Sequence, residues 1–223
     1  MKRPPVVPEK KAGPLKRRTL EIIKVLRKAH PDARQALTFT TPLDLLVALI
    51  LAAQCTDERV NEVTRSLFRT YRTARDYAGA TQEVLEGQIR STGFYRNKAK
   101  AIRTCCQELL VRFGGQVPDG LDDLLGLPGV GRKTANIVIG NAFGRPAIGV
   151  DTHVMRLSIR MGLTQKNDPD RIEADLCGIV PQKEWVPFCH LLQFHGRRVC
   201  VARSPQCTTC PVNALCPKRG VKA

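Results

Sequence analysis

Residues 127–135, Leu127-Pro128-Gly129-Val130-Gly131-Arg132-Lys133-Thr134-Ala135 (LPGVGRKTA), set a proline and two glycines directly before an adjacent arginine and lysine. A short run, Leu121 to Leu125, leads into the stretch, and Ala135, Val138, Ile139 and Ala142 recur at helical spacing behind it. The pattern predicts helix, tight hairpin, helix. Glycine accepts turn dihedrals and removes the side chain that would hold a sugar-phosphate strand away, while free N–H groups at the start of the second helix can donate to phosphate oxygens. Leu127, Gly129, Val130, Gly131 and Arg132 are therefore expected along a DNA backbone, with little regard to base sequence. A structural turn between two core helices is the alternative. A nucleotide-binding P-loop is not: Gly126 and Gly131 are correctly separated, but Arg132 displaces the lysine by one place and no strand precedes the motif.

Lys133 falls in the first turn of the second helix. The positive helix end and the neighbouring Arg132 both disfavour an ammonium there, so more free amine is expected than for an ordinary surface lysine, and a free amine is a nucleophile. Another phosphate contact is the competing role. Asp151 follows the apolar run Ala147-Ile148-Gly149-Val150 and precedes Thr152 and His153. It reads as a helix N-cap that also fixes a carboxylate where charge stabilisation is wanted, with Thr152 and His153 as neighbouring polar groups.

Cys200, Cys207, Cys210 and Cys216 form C-x6-C-x2-C-x5-C in a short, proline-interrupted terminal segment. Four thiolates packed so closely repel one another, and a cation that absorbs the charge and fixes the loop explains them. The spacing alone leaves zinc and an iron-sulfur cluster both open. Cys55, Cys105, Cys106, Cys177 and Cys189 sit within helical patterns and read as small buried apolar residues.

Charge points the same way as the hairpin. Lysine and arginine number 36 against 20 aspartate and glutamate, a formal +16 that suits a polyanionic partner. The longest apolar stretch, Leu43 to Ala53, is too short for a bilayer, and no apolar segment follows the basic amino terminus as in a secretion signal. An intracellular, cytoplasmic protein without a membrane partner is expected, its cysteines not a disulfide framework. Helix signals recur along the chain: Thr41 and Pro42 open one helix, Asp57 is expected to cap the next, and further helices are expected over Ala99–Phe113, from Asp168 and over Trp185–His195. The first dozen residues, rich in proline and lysine, are expected to be disordered. The fold class is all-α.

With LPGVGRKTA, VDTH and the four-cysteine pattern in order, the chain from about residue 20 onward resembles the endonuclease III family of base-excision DNA glycosylases. The resemblance implies a two-lobed helix-hairpin-helix glycosylase fold with a carboxyl-terminal [4Fe-4S] cluster loop. Residues 35–145 would form the barrel domain, and 1–34 with 146–223 the cluster domain. It further implies Lys133 as nucleophile and Asp151 as catalytic carboxylate, the four cysteines as cluster ligands, and double-stranded DNA with damaged bases or abasic sites as partner, bound by a monomer. The damaged nucleotide would leave the stack to reach them. Gln54 matches a residue that enters the vacated space, and Phe94 matches a wedge position that is commonly leucine; an ordinary core phenylalanine is the alternative reading of Phe94. Lysine at 133 favours a bifunctional enzyme acting on oxidised pyrimidines such as thymine glycol. The rivals are a monofunctional mismatch or alkylated-base glycosylase and a non-cleaving damaged-DNA-binding module.

Overall fold

The computed structural model describes residues 13–221, and the amino-terminal residues expected to be disordered lie outside that span. Among the described residues the chain is helical and without strands. In order come α1 (Pro14–Ala29), α2 (Pro42–Leu51), α3 (Asp57–Thr70), α4 (Ala74–Gly79), α5 (Gln82–Ile89), α6 (Tyr95–Phe113), α7 (Leu121–Leu125), α8 (Arg132–Ala142), α9 (Thr152–Arg160), α10 (Pro169–Ile179) and α11 (Trp185–Arg198). No described helix is long and apolar enough to cross a membrane.

Local chemistry sets most of the helix starts. Thr41 Oγ1 accepts the Asp44 N–H at 3.1 Å while Asp44 Oδ2 accepts the Thr41 N–H at 3.0 Å, a reciprocal box that closes two orphan donors before Pro42. The cap of α3 is Thr56, not Asp57 as the sequence suggested: Thr56 Oγ1 lies three residues before Arg59, whose N–H it accepts. Asp57 instead occupies the first turn and pairs with Arg197. Helices α4 and α5 carry no long apolar stripe, and only their threonine caps, Thr73 and Thr81, mark them in the sequence.

Two apolar cores result. Helices α2 to α8 close around Leu45, Leu46, Leu51, Leu85, Ile102, Leu109 and Val138. The second core gathers Ile22 and Leu26 of α1 with Leu157, Ile172, Leu176, Phe188 and Leu192 of α9, α10 and α11, and Val212 from the cysteine loop. The change is abrupt, since Ala147 belongs to the first core and Ile148 to the second. Arg18 ties α1 into the second body by donating to the carbonyls of Met161 at 2.7 Å, Gly162 at 2.9 Å and Leu215 at 2.9 Å. Two arginines link the bodies among the described residues. Arg132 on α8 grips Glu173 on α10 in a bidentate pair, both contacts 2.8 Å, and Arg197 on α11 reaches Asp57 on α3 at 2.5 Å.

Candidate active site and cysteine centre

Gly129 turns the hairpin at φ 79°, a conformation that glycine adopts without strain. Leu127 and Val130 point into the barrel core, 3% and 7% exposed, so only their backbone can face a ligand, and the Val130 N–H is already held by the Leu127 carbonyl at 3.2 Å. The hairpin is thus clamped from beneath while Gly129 and Gly131 stay exposed. Gly131 is the N-cap of α8 and supplies no side-chain bond to it, which leaves the helix's leading N–H groups without a side-chain acceptor.

Lys133 is exposed in the first turn of α8. Arg132 pairs with Glu173, and Asp170 lies 3.6 Å from its guanidinium. One turn further along, Asn136 is buried and uses its amide twice, donating to the Ile148 carbonyl at 3.0 Å and to Glu173 at 2.8 Å. That bond draws the linker between the two cores against α8. A β-carbon on Gly149 would lie 3.4 Å from the Lys133 carbonyl oxygen and 2.7 Å from Ile137 Cγ1, so the backbone passes where a side chain would collide. Two residues later the chain reaches Asp151, which brings the segments carrying Lys133 and Asp151 together.

Asp151 caps α9, its Oδ1 accepting the Val154 N–H at 2.7 Å. Thr152 beside it is exposed. His153 is half-buried, and burial pushes its pKa below the usual imidazole value against the opposing pull of Asp151. Its Nδ1 lies 3.2 Å from Arg156 Nη2, and arginine only donates, so Nδ1 is the acceptor and the neutral ring carries its proton on Nε2. Arg156 also donates to the carbonyls of Gly196 at 3.0 Å and Cys200 at 3.1 Å, coupling the Asp151 corner to the cysteine loop.

Gln54 and Phe94 lie on neighbouring loops of the barrel. Both are left-handed, at φ 53° and φ 47°, which is costly for side chains of this kind. Phe94 is 62% exposed, so the core-phenylalanine reading fails. Gln54 shares an open groove with Thr56, Arg59, Ser91 and Gly93, the residue before Phe94. Cys55 belongs to this bend and not to a helix, because α2 ends at Leu51 and the Cys55 N–H turns back to the Ala52 carbonyl at 3.2 Å. Cys105, Cys106 and Cys189 are buried as expected, while Cys177 is half-buried.

Cys200, Cys207, Cys210 and Cys216 all line one recess, together with Arg160, Met161, His195 and Val212. Burial, with the neighbouring sulfurs adding to it, pushes the Cys210 and Cys216 thiols up, so holding them as thiolates takes a cation. A single zinc would draw sulfurs to within about 3.8 Å of one another. Among the described residues no three His, Cys, Asp or Glu side chains gather tightly enough to hold one ion. Sulfurs that line a space instead of meeting at a point suit a polynuclear cluster. Donors wait around them: Arg160 Nη1 lies 3.4 Å from Cys200 Sγ, and His195 Nε2 lies 3.4 Å from Cys210 Sγ.

Asn136, Glu173, Arg156 and His195 escaped the sequence reading. A signal existed for Asn136, a polar residue on the buried face of α8; the others act across long separations that no local pattern encodes.

The comparisons agree with this geometry. Residues 47–182 match the HhH-GPD superfamily of base excision DNA repair proteins, and residues 200–216, bounded by Cys200 and Cys216, match the iron-sulfur binding domain of endonuclease III. Endonuclease III of Synechocystis sp. is 49% identical over 93% of this chain and 95% of its own length, and that of Bacillus subtilis is 46% identical over 83% and 85%. Among solved structures, a trapped endonuclease III-DNA covalent intermediate superposes with a TM-score of 0.87 at 46% identity, covering 91% of this chain and 96% of that one. A thermostable thymine-DNA glycosylase, 24% identical with a TM-score of 0.81, shares the fold. By these matches, with a helix-hairpin-helix, an aspartate-capped helix after it and a four-cysteine terminal loop in its sequence, the chain belongs to the endonuclease III family, the [4Fe-4S]-bearing DNA glycosylase/AP lyases of base excision repair.

Proposed function

We propose that the chain removes oxidised pyrimidines, thymine glycol among them, from double-stranded DNA in the nucleoid and cleaves the strand 3′ to the site, with Lys133 as nucleophile. The carrying observation is that Asn136 and Gly149 bring the Asp151 linker against the first turn of α8, beside an exposed Lys133. In this reading 35–145 is the barrel domain and the remainder the cluster domain, which the two separate cores support.

The exposed N–H groups at Gly129 and Gly131 bind phosphates, and Thr152 and the His153 Nε2–H contribute from the opposite side. The damaged nucleotide swings out, and Gln54 and Phe94 enter the gap. The Lys133 amine attacks C1′; the N-glycosidic bond breaks, its electron pair leaving with the base, which takes up a proton. Ring opening then gives an imine at C1′. Loss of a C2′ proton breaks the C3′–O bond, expels the 3′ phosphate and cuts the strand, and water hydrolyses the imine to return the amine. Asp151, its Oδ1 committed to the cap, stabilises positive charge developing on the sugar and accepts protons from the amine. Cys200, Cys207, Cys210 and Cys216 hold the cluster, which supplies the positive charge that orders the terminal loop.

Borohydride trapping on a duplex with one thymine glycol tests this reading. Wild type should form a covalent complex and Lys133→Gln none. A Lys133→Gln protein that nicks abasic DNA at the wild-type rate would remove the assignment, and a wild type that binds without reacting would favour the binding-module reading.

A further inference from the structure

Lys98 has no part in the reaction just described, yet it is 5% exposed, with its chain running from the start of α6 into the barrel wall. Its ammonium donates to the Leu51 carbonyl at 2.8 Å and to the Thr92 carbonyl at 2.7 Å, both bonds buried. Its hydrogen bonds go to backbone and not to a carboxylate. An ammonium in such a place is opposed by desolvation and by the positive end of α6. Burial accordingly lowers its pKa, with Cys55 nearby pulling the other way. If filling the wall were the whole task, a methionine of similar length would do it at lower cost.

The two carbonyls explain the charge. Leu51 ends α2, and the chain turns through Ala52 and Ala53 to Gln54; Thr92 ends the 3₁₀ turn Arg90–Thr92, and Gly93 and Phe94 follow. Gln54 and Phe94 are both left-handed, and such residues persist only where their surroundings over-determine them, at a cost of about 1–3 kcal/mol each. Phe94 is also the N-cap of α6 and gives no side-chain bond. One ammonium therefore satisfies the carbonyl just ahead of each strained loop and joins the loops as one unit.

We infer that Lys98 is a positioning residue for nucleotide extrusion: by holding Leu51 and Thr92 on one nitrogen, it sets the spacing and backbone conformation of Gln54 and Phe94 as a rigid pair. The inference rests on the reading of those two residues as gap-filling.

The test uses the full chain with its cluster, as wild type, Lys98→Met and Lys98→Arg. One duplex carries thymine glycol beside 2-aminopurine, whose fluorescence rises on unstacking; a second carries a preformed abasic site, which has no base to unstack. Lys98→Met should slow the fluorescence rise and base release by about tenfold, while abasic-site cleavage falls by less than about threefold. Lys98→Arg, which keeps donors for both carbonyls, should recover to within about threefold. A merely structural role would lower both substrates alike, together with the melting temperature and the cluster's visible absorbance. Wild-type fluorescence kinetics in Lys98→Met, or equal losses on both duplexes, would overturn the inference. Should Lys98→Met not fold, Lys98→Gln, too short to hold both carbonyls on one nitrogen, takes its place: a lesion-to-abasic rate ratio lowered by about two- to threefold or more supports the inference and an unchanged ratio overturns it. A wild type inert on both duplexes would instead overturn the proposed function, and this inference with it.

Discussion

The two helices that flank the junction of the cores, α8 and α9, begin in opposite ways. At α9 the N-cap is Asp151, whose carboxylate takes the Val154 N–H and so combines a fold-stabilising bond with a fixed negative charge. At α8 the N-cap is Gly131, which offers its helix no side-chain acceptor. Most other helix starts follow α9, with Thr41, Thr56, Thr73, Thr81 and Asp168 each accepting a backbone N–H. A side-chain cap and a phosphate compete for the same donors. In the proposed reading the open start of α8 receives phosphate, and the carboxylate that closes α9 faces the charge that develops on the sugar.

Breaking the chemistry on the α8 side should have the largest effect. Lys133→Gln is expected to lower strand cleavage by about 10³-fold or more while leaving duplex binding nearly intact, measured by single-turnover kinetics beside a binding titration. Next comes Asp151→Asn, which keeps a capping oxygen and therefore the melting temperature but removes the charge, and should slow base release by about 10²-fold.

Gly131→Asp inverts the comparison. The position is extended at φ −92°, and a β-carbon there meets nothing within 4 Å, so aspartate fits and can cap α8. Stability should rise by up to about 1 kcal/mol while duplex affinity falls by about tenfold, because the new carboxylate occupies the phosphate donors and repels phosphate. Tighter binding in this variant would break the argument. Thr41→Ala is the smallest case, a cap removed far from the hairpin: it should cost about 1 kcal/mol in denaturant unfolding and leave DNA affinity unchanged.

What was legible in the sequence was local. Leu121–Leu125, the hairpin glycines, the Asp151 and Asp168 caps and the cysteine spacing are short-range patterns, and the elements stand where those patterns put them. Asp57 was misread because a threonine one place earlier competes for the same donor. The site's assembly was not legible. Asn136 reaching Ile148, Arg132 turned to Glu173 and Gly149 seated on α8 are facts of packing between segments, and apolar periodicity does not encode which helix meets which. Arg132 is the instructive case: nothing in its type or its place in the motif points to the carboxylate 41 residues further along that holds it.

The grip of Arg18 on Met161, Gly162 and Leu215 bears on how the molecule is made. The first core draws on residues 37–147 alone and can close while the rest of the chain is still being translated. The second joins Ile22 and Leu26 to residues as late as Val212, so the apolar face of α1 must wait, at ribosomal speeds, on the order of ten seconds or more before its partners emerge. Synthesis therefore completes the core that carries the hairpin before it completes the core behind Asp151, and in the proposed reading the newborn chain holds its phosphate-binding turn before it holds the whole site.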